Sequence, residues 1–99
     1  MKLIDSADRL QEKSKHFGKL LTLEHATFTN IQLRKGEEIA EHDSPNEAII
    51  IVRKGNVRFI VEGEDVIVTP ETVLHMAPKE QHSLHAIEDT DLILIQVTP

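Results

Sequence analysis

Two short segments of the chain carry the residues whose types and spacing could do chemistry. Residues 36–55 contain His42, and residues 76–84 contain His82. An imidazole can bind a transition metal or hold the polar group of a small molecule. The chain has no cysteine, which excludes disulfides, thiolate metal ligands and a cysteine nucleophile. His42 and His82 are therefore the candidates for carrying chemistry, and whether they meet in one pocket depends on the fold.

Two imidazoles alone make an open and weak metal site. Non-haem iron typically takes two histidines and one carboxylate, and catalytic zinc takes three protein ligands. Glu47 could supply the carboxylate only if its strand is bulged or shifted by one residue, because such a shift turns a side chain to the opposite face. Ser44 has no oxyanion turn and no third orienting partner, so a serine nucleophile is rejected.

The elements that must position these residues have the two-residue period of β-strands. Thr29, Ile31 and Leu33 share one face of a predicted strand. Turn signals such as those at residues 54–56 and 62–64 leave no room for the helices of a parallel sheet, which predicts an all-β sandwich or barrel. The predicted strands cover residues 20–23, 28–33, 48–52, 57–62, 66–68, 73–76 and 92–97.

The N-terminal stretch is the only part of the chain with a helical pattern. Asp5 or Ser6 could cap a short helix from Ala7 to Lys15, with Ala7 and Leu10 on one side. A helix of about three turns is marginal by itself, so we expect it to dock on the barrel.

The two histidine segments resemble the paired motifs of small single-domain cupins. Gly36 and His42 keep the spacing of the first cupin motif, Gly-x5-His-x-His. Residues 78–82, which contain Pro78 and His82, resemble the second motif, Pro-x-Gly-x2-His, although the interval between proline and histidine is one residue shorter and Glu80 stands in place of the glycine. The similarity covers most of the chain, and the pair of motifs is far more specific than either one alone. The resemblance implies the double-stranded β-helix of cupins, a jelly-roll barrel.

This resemblance also sets expectations for the whole chain. Residues 1–99 are expected to form a single cupin domain, with an N-terminal helix or arm over residues 1–18 and the barrel over residues 19–99. Related cupins pair through their outer sheet faces, so a homodimer is expected.

The metal ligands of cupins are only partly present. Metal-bearing relatives use two histidines and a glutamate or glutamine from the first motif and one histidine from the second. In this chain Ser44 occupies the second histidine position, and Ala48, one residue past Glu47, occupies the glutamate or glutamine position. The resemblance leaves His42 and His82 as the ligands of one divalent metal, with iron, manganese, nickel and zinc as candidates.

A small-molecule pocket needs an apolar wall and a few convergent polar groups. The residues expected to contact a ligand are His42, His82, Glu47 and Met76. The apolar side chains expected in the wall are Ile49, Ile51, Phe59, Leu74, Met76 and Leu84.

The other histidines are expected outside this pocket. His85 lies an odd number of residues past the second-motif histidine, so an extended strand turns it to the opposite face. His75 is also expected to face outward or to lie at a subunit contact, and His16 and His25 are expected on the surface. The acidic run at residues 37–41 is expected to be a solvated loop.

Composition narrows the classes of function. The formal net charge is −6 and the basic residues are scattered, so no nucleic-acid interface is expected. The N-terminus has no long apolar run, so no signal peptide or membrane span is expected, and the chain is assigned to the cytoplasm.

Three hypotheses for the function follow. The first is a binding protein that holds a small molecule, with or without a divalent metal, between His42 and His82. The alternative is a metal-dependent oxygenase or isomerase that acts on a small metabolite, which rests on family analogy alone. A third is an interaction module that pairs through an outer sheet face. The metal content of the purified protein separates the first two.

Overall fold

The computed structural model describes residues 1–98. Within this part the chain forms strands and turns but no helix, and so has no helix long and apolar enough to cross a membrane. The strands are β1 (Lys15–Thr22), β2 (Ala26–Leu33), β3 (Glu38–His42), β4 (Glu47–Lys54), β5 (Val57–Val61), β6 (Glu64–Val68), β7 (Val73–Met76), β8 (His82–Ala86) and β9 (Thr90–Val97).

Two antiparallel sheets pack face to face. One sheet has the strand order β1-β2-β9-β4-β7, and the other has the order β3-β8-β5-β6. Alternate side chains of each strand point between the sheets, which explains the two-residue period in the sequence. The predicted all-β architecture is therefore confirmed. The buried apolar core consists of Ile31, Leu33, Ala48, Ile50, Val52, Val57, Phe59, Val68, Met76, Leu84, Ala86 and Leu92.

The predicted helix from Ala7 to Lys15 is wrong. Most of this stretch has no regular structure, and its last residue already belongs to β1. The carboxylate of Asp5 accepts a hydrogen bond from the Ala7 amide at 3.0 Å, and that of Asp8 accepts one from the Leu10 amide at 2.9 Å. Such local bonds offer the backbone an alternative to helical pairing, and a helix this short has little to oppose them.

Residues 1–14 form an arm that is tied to the barrel by polar contacts. The Gln32 side chain accepts a hydrogen bond from the Arg9 amide at 2.7 Å and donates one to the Ala7 carbonyl at 2.9 Å. Arg34 Nε donates to the Leu10 carbonyl at 2.7 Å. Gln32 alternates with the inward side chains of β2, and it is 1 % exposed because the arm covers it.

The acidic run before His42 is a strand rather than the predicted solvated loop. Glu38–His42 forms β3 and pairs with β8 along one edge of the smaller sheet. Glu38 accepts a hydrogen bond from His85 Nδ1 at 3.0 Å, on the outer face of that sheet. Pairing with β8 outweighs the acidic composition because the charged side chains remain in water.

Candidate functional site

A cavity of about 280 Å³ opens between the two sheets and contains both motif histidines. Its wall is mostly apolar, and the other polar side chains that line it are Thr29 and Gln96 on the opposite sheet. The complete lining is Phe17, Thr29, Ile31, Ile39, His42, Ile50, Phe59, Met76, His82, Leu84, Leu94 and Gln96.

The two histidine rings are direct neighbours. His42 on β3 and His82 on β8 are cross-strand partners, and their ring centroids are 4.3 Å apart with an angle of 62° between the ring planes. His82 is 8 % exposed, whereas His42 is exposed. The structure thus brings both sequence-predicted histidines to one cavity, with His82 inside it and His42 at its mouth.

A β-bulge in β3 turns His42 into the cavity. Ile39 pairs with Leu84 and His42 pairs with His82, so Ala40 and its neighbour face a single residue of β8. In a regular strand Ile39 and His42, three residues apart, would point to opposite faces. The extra residue in the bulge reverses the alternation of side chains between the two faces of β3, so the side chains of both Ile39 and His42 line the cavity.

The same type of backbone hydrogen bond orients both rings. Nδ1 of His42 lies 2.8 Å from the Ala40 carbonyl oxygen, and Nδ1 of His82 lies 3.0 Å from the Glu80 carbonyl oxygen. A carbonyl oxygen only accepts hydrogen bonds, so Nδ1 carries the proton in each ring. Within residues 1–98 Nε2 of each ring has no hydrogen-bond partner, and it is the nitrogen available to a ligand or metal.

Glu47 does not join the histidines. β4 keeps its regular register at this end, with Ala48 opposite Met76, and Ala48 is 3 % exposed on the inner face. Glu47 therefore points outward, where its carboxylate contacts the imidazole of His75. This end of β4 has no bulge or register shift that would turn Glu47 inward. The methyl group of Ala48 occupies the inward position.

Part of the predicted pocket wall lies elsewhere. Phe59, Met76 and Leu84 line the cavity, and Leu74 packs against the core beside it. Ile49 and Ile51 are on the outer face, and Ile50 lines the cavity in their place. The expectation for Ile49 and Ile51 was wrong because residues 48–52 are continuously apolar, and such a run does not reveal which face is buried.

Cavity residues on four further strands were not predicted from the sequence. They are Phe17 on β1, Thr29 and Ile31 on β2, Ile39 on β3, and Leu94 and Gln96 on β9. The alternation of Thr29, Ile31 and Leu33 identifies the inner face of β2, but only the strand order shows which side chains lie opposite it. The position of Ile39 could not be predicted, because the bulge changes which side chains of β3 face the cavity. No residue type in β3 indicates a bulge.

The residues of the cavity do not fit a resident transition metal. The cavity offers two imidazole nitrogens, and the described residues contain no group of three or more histidine, aspartate or glutamate side chains placed to hold a metal ion. Iron and zinc sites that perform chemistry use at least three protein ligands. Thr29 and Gln96 are neutral and lie on the opposite sheet.

The other histidines lie outside the cavity. His75 and His85 are on outer sheet faces, where each contacts a glutamate. His25 is exposed, whereas His16 is half-buried against Gly18 and its Nδ1 has no partner among residues 1–98. Burial lowers the pKa of His16, and the positive charges of the nearby arm lower it further.

Comparison with known proteins identifies the fold independently of this geometry. A family model described as "Cupin domain" matches residues 30–98. Among curated proteins no sequence matches the chain.

Several solved structures superpose well. A conserved protein of unknown function from Streptococcus pyogenes has a TM-score of 0.82 at 23% identity, over 100% of this chain and 96% of that one. An RmlC-like cupin protein from Desulfovibrio desulfuricans has a TM-score of 0.85 at 19% identity, over 98% and 96%. Salicylate 1,2-dioxygenase from Pseudoaminobacter salicylatoxidans has a TM-score of 0.80 at 15% identity, over 85% of this chain and 25% of that one. At these identities the similarity establishes the double-stranded β-helix fold alone.

Proposed function

The chain belongs to the cupin family, and from that premise we propose that it binds a small molecule in its barrel, with His42 and His82 holding the ligand's polar group. The observation that carries this proposal is the pair of rings with centroids 4.3 Å apart at one end of an apolar cavity of about 280 Å³. A concave apolar wall with few convergent polar groups is the usual form of a ligand site. The volume is just below that of pockets for drug-sized molecules, so the ligand is small.

The alternative function, a metal-dependent oxygenase or isomerase, finds less support. The fold is shared with a dioxygenase, but a cupin fold does not fix the chemistry. Two imidazoles without a third protein ligand would bind a divalent ion weakly and leave most of its coordination to water. We therefore expect the purified protein to contain less than one equivalent of iron, manganese, nickel or zinc, as elemental analysis can show.

The test of the binding function is a fragment screen followed by amide NMR on the full chain. Fragments that bind are expected to shift the amides of β3 and β8 around His42 and His82. The His42→Ala and His82→Ala variants should keep the fold and weaken this binding. His75→Ala and His85→Ala are matched controls, since both remove a histidine from an outer face, and they should bind as the unaltered protein does.

Two results would count against the binding function. The first is that no fragment shifts the cavity amides. The second is that binding survives in the doubly substituted His42→Ala/His82→Ala protein, which would make the histidines structural.

A second copy of the chain is the partner that we propose for the outer face of the five-stranded sheet. The cross-strand register groups apolar side chains there, and the polar side chains at the rim contact each other, Glu47 with His75 and Arg53 with Asp91. An apolar patch whose rim carboxylates each have a side-chain partner can meet its own copy about a two-fold axis despite the net charge of −6. The patch includes Phe28, Ile49, Ile51, Val73, Ile93 and Ile95.

A further inference from the structure

We propose that the barrel pocket takes a neutral molecule whose hydroxyl group donates a hydrogen bond to His42 or His82, such as a small phenol or alcohol, rather than a carboxylate. This inference rests on the proposed function, because it names the chemical class of ligand for the same pocket. A second donor on the same ligand would occupy the second imidazole.

Backbone carbonyl groups fix the tautomer of both rings. Ala40 and Glu80 present carbonyl oxygens to the Nδ1 atoms of His42 and His82, at 2.8 and 3.0 Å. Because these oxygens can only accept, each neutral ring keeps its proton on Nδ1 and has a lone pair on Nε2. The polar end of the pocket therefore presents two hydrogen-bond acceptors, and an acceptor needs a donor as its partner.

The described lining of the cavity gives an anionic ligand no lysine or arginine to pair with. A carboxylate placed beside His82, which is 8 % exposed, would lose its hydration without gaining a fixed positive charge. Burial of an unpaired charge is much more costly than burial of a hydroxyl group whose hydrogen bond is made.

The apolar part of the cavity limits the shape of the ligand. Phe59 and Met76 form the buried wall of a cavity of about 280 Å³, and Phe17 is 54 % exposed where the cavity opens. A single ring or a branched alkyl group fits such a space, whereas most hydroxyl groups of a sugar would face apolar side chains, because Thr29 and Gln96 are the only polar groups besides the histidines in the described lining. The ligand is therefore an apolar body that carries one or two hydroxyl groups.

The test compares three probes of similar size on the full-length chain: para-ethylphenol, para-ethylanisole and para-ethylbenzoate. The phenol can donate, the methyl ether can only accept, and the benzoate is a carboxylate. Affinities are measured by amide NMR titration at mildly alkaline pH. We expect the phenol to bind roughly tenfold more tightly than the ether, the upper range for one neutral hydrogen bond, and the benzoate to bind most weakly.

Variants separate hydrogen bonding from packing. The His42→Leu/His82→Leu double variant removes both acceptors and keeps apolar bulk, so the phenol-to-ether affinity ratio should fall to about one. His85→Leu is the matched control on the outer face of β8 and should keep the ratio of the unaltered protein. If the double variant does not fold, the ratio in the unaltered protein decides.

Each outcome bears on a different claim. Tighter binding of the benzoate, or equal binding of phenol and ether, would overturn the donor preference and leave the small-molecule pocket standing. If none of the three probes shifts the cavity amides, both the donor preference and the proposed binding function lose their support.

Discussion

At the scale of single residues, the pocket depends on how backbone carbonyls hold two imidazoles. Each ring bonds through Nδ1 to the carbonyl two residues before it, and the rings contact each other across β3 and β8. Both rings are therefore fixed before any ligand arrives, which lowers the conformational entropy lost on binding. The chemistry that we propose for the site is hydrogen bonding by Nε2, and the described chain places no group of three potential metal ligands there.

His16 supplies a prediction about pH at this scale. Its pKa is lowered from 6.5, first by burial, then by Lys13 and Arg9, with Asp91 opposing them. The unfolded chain therefore binds the His16 proton more readily than the folded protein. The contribution of neutral His16 to stability is present above about pH 6.5 and is lost as the pH falls through the lowered pKa.

The measurement is urea unfolding at about pH 7.5 and about pH 5.5. His16→Phe should reduce the loss of stability on acidification, because it removes the titrating group and keeps a ring over Gly18. His25→Phe is the control, since the His25 side chain is 72% exposed. If His16→Phe loses as much stability on acidification as the unaltered chain, His16 has no part in the pH response.

At the scale of elements, a bulge and a tight turn shape the barrel. The bulge in β3 reverses the alternation so that Ile39 and His42 both face inward. The turn between β4 and β5 contains Gly55, whose φ is +89°. A Cβ atom at Gly55 would lie 2.3 Å from the Asp89 carbonyl oxygen, so this turn packs backbone against backbone.

Gly55→Ala tests that contact against a matched glycine. Gly63 has a φ of +80°, but a Cβ atom there would meet nothing within 4 Å. Gly63→Ala should cost about 1 kcal/mol of unfolding free energy from backbone strain alone. Gly55→Ala should cost about 3 kcal/mol, since the clash adds to the strain. Equal losses in chemical denaturation would show that the Asp89 contact is not tight.

The same elements show which features a sequence can predict. The alternation of Thr29, Ile31 and Leu33 identifies the inner face of β2, because that face is clearly more apolar than the one with Asn30 and Gln32. Residues 48–52 are apolar throughout, so the sequence does not show which of their side chains point inward. The pairing of β4 with β7 and β9 determines this. Residues 7–15 have helical periodicity, but polar contacts with the barrel, which are not local in sequence, determine their conformation.

The candidate site was predictable to a similar extent. The spacing of Gly36 to His42, together with the similarity of residues 78–82 to the second motif, identifies the two histidines through the cupin motifs. The tautomer of each ring, the outward position of Glu47 and the inward position of Ile50 follow from strand register and backbone geometry. Sequence patterns carry little information on strand register. A shift of one residue in the register moves every side chain of a strand to the opposite face of the sheet.

At the scale of the whole molecule, the two sheets have different outer faces. The five-stranded sheet exposes a central apolar patch, in which Ile51 is 38% and Val73 is 65% exposed. The outer face of the four-stranded sheet has polar groups along the row that joins Glu38, His85 and Arg58. Association of two copies is expected at the apolar face, because burying this patch removes apolar rather than charged side chains from water.

Ile51→Lys tests the association of two copies. The unaltered chain is expected to sediment as a dimer, and Ile51→Lys as a monomer, because a lysine at the centre of the patch would be desolvated opposite its own copy. Ile67→Lys is the control, since Ile67 is 45% exposed on the other sheet and should leave the dimer intact. A monomeric unaltered chain at high concentration, or an Ile51→Lys dimer, would remove this interface.

The most direct test of the pocket is nitrogen-15 NMR of the histidine side chains, with and without para-ethylphenol. We predict that His42 and His82 both show the tautomer with the proton on Nδ1, and that Nε2 of at least one of them shifts on addition of the phenol while His75 and His85 do not. The opposite tautomer in either pocket ring, or no change in both rings while the phenol binds elsewhere, would contradict the claim that these imidazoles form the ligand-binding end of the barrel.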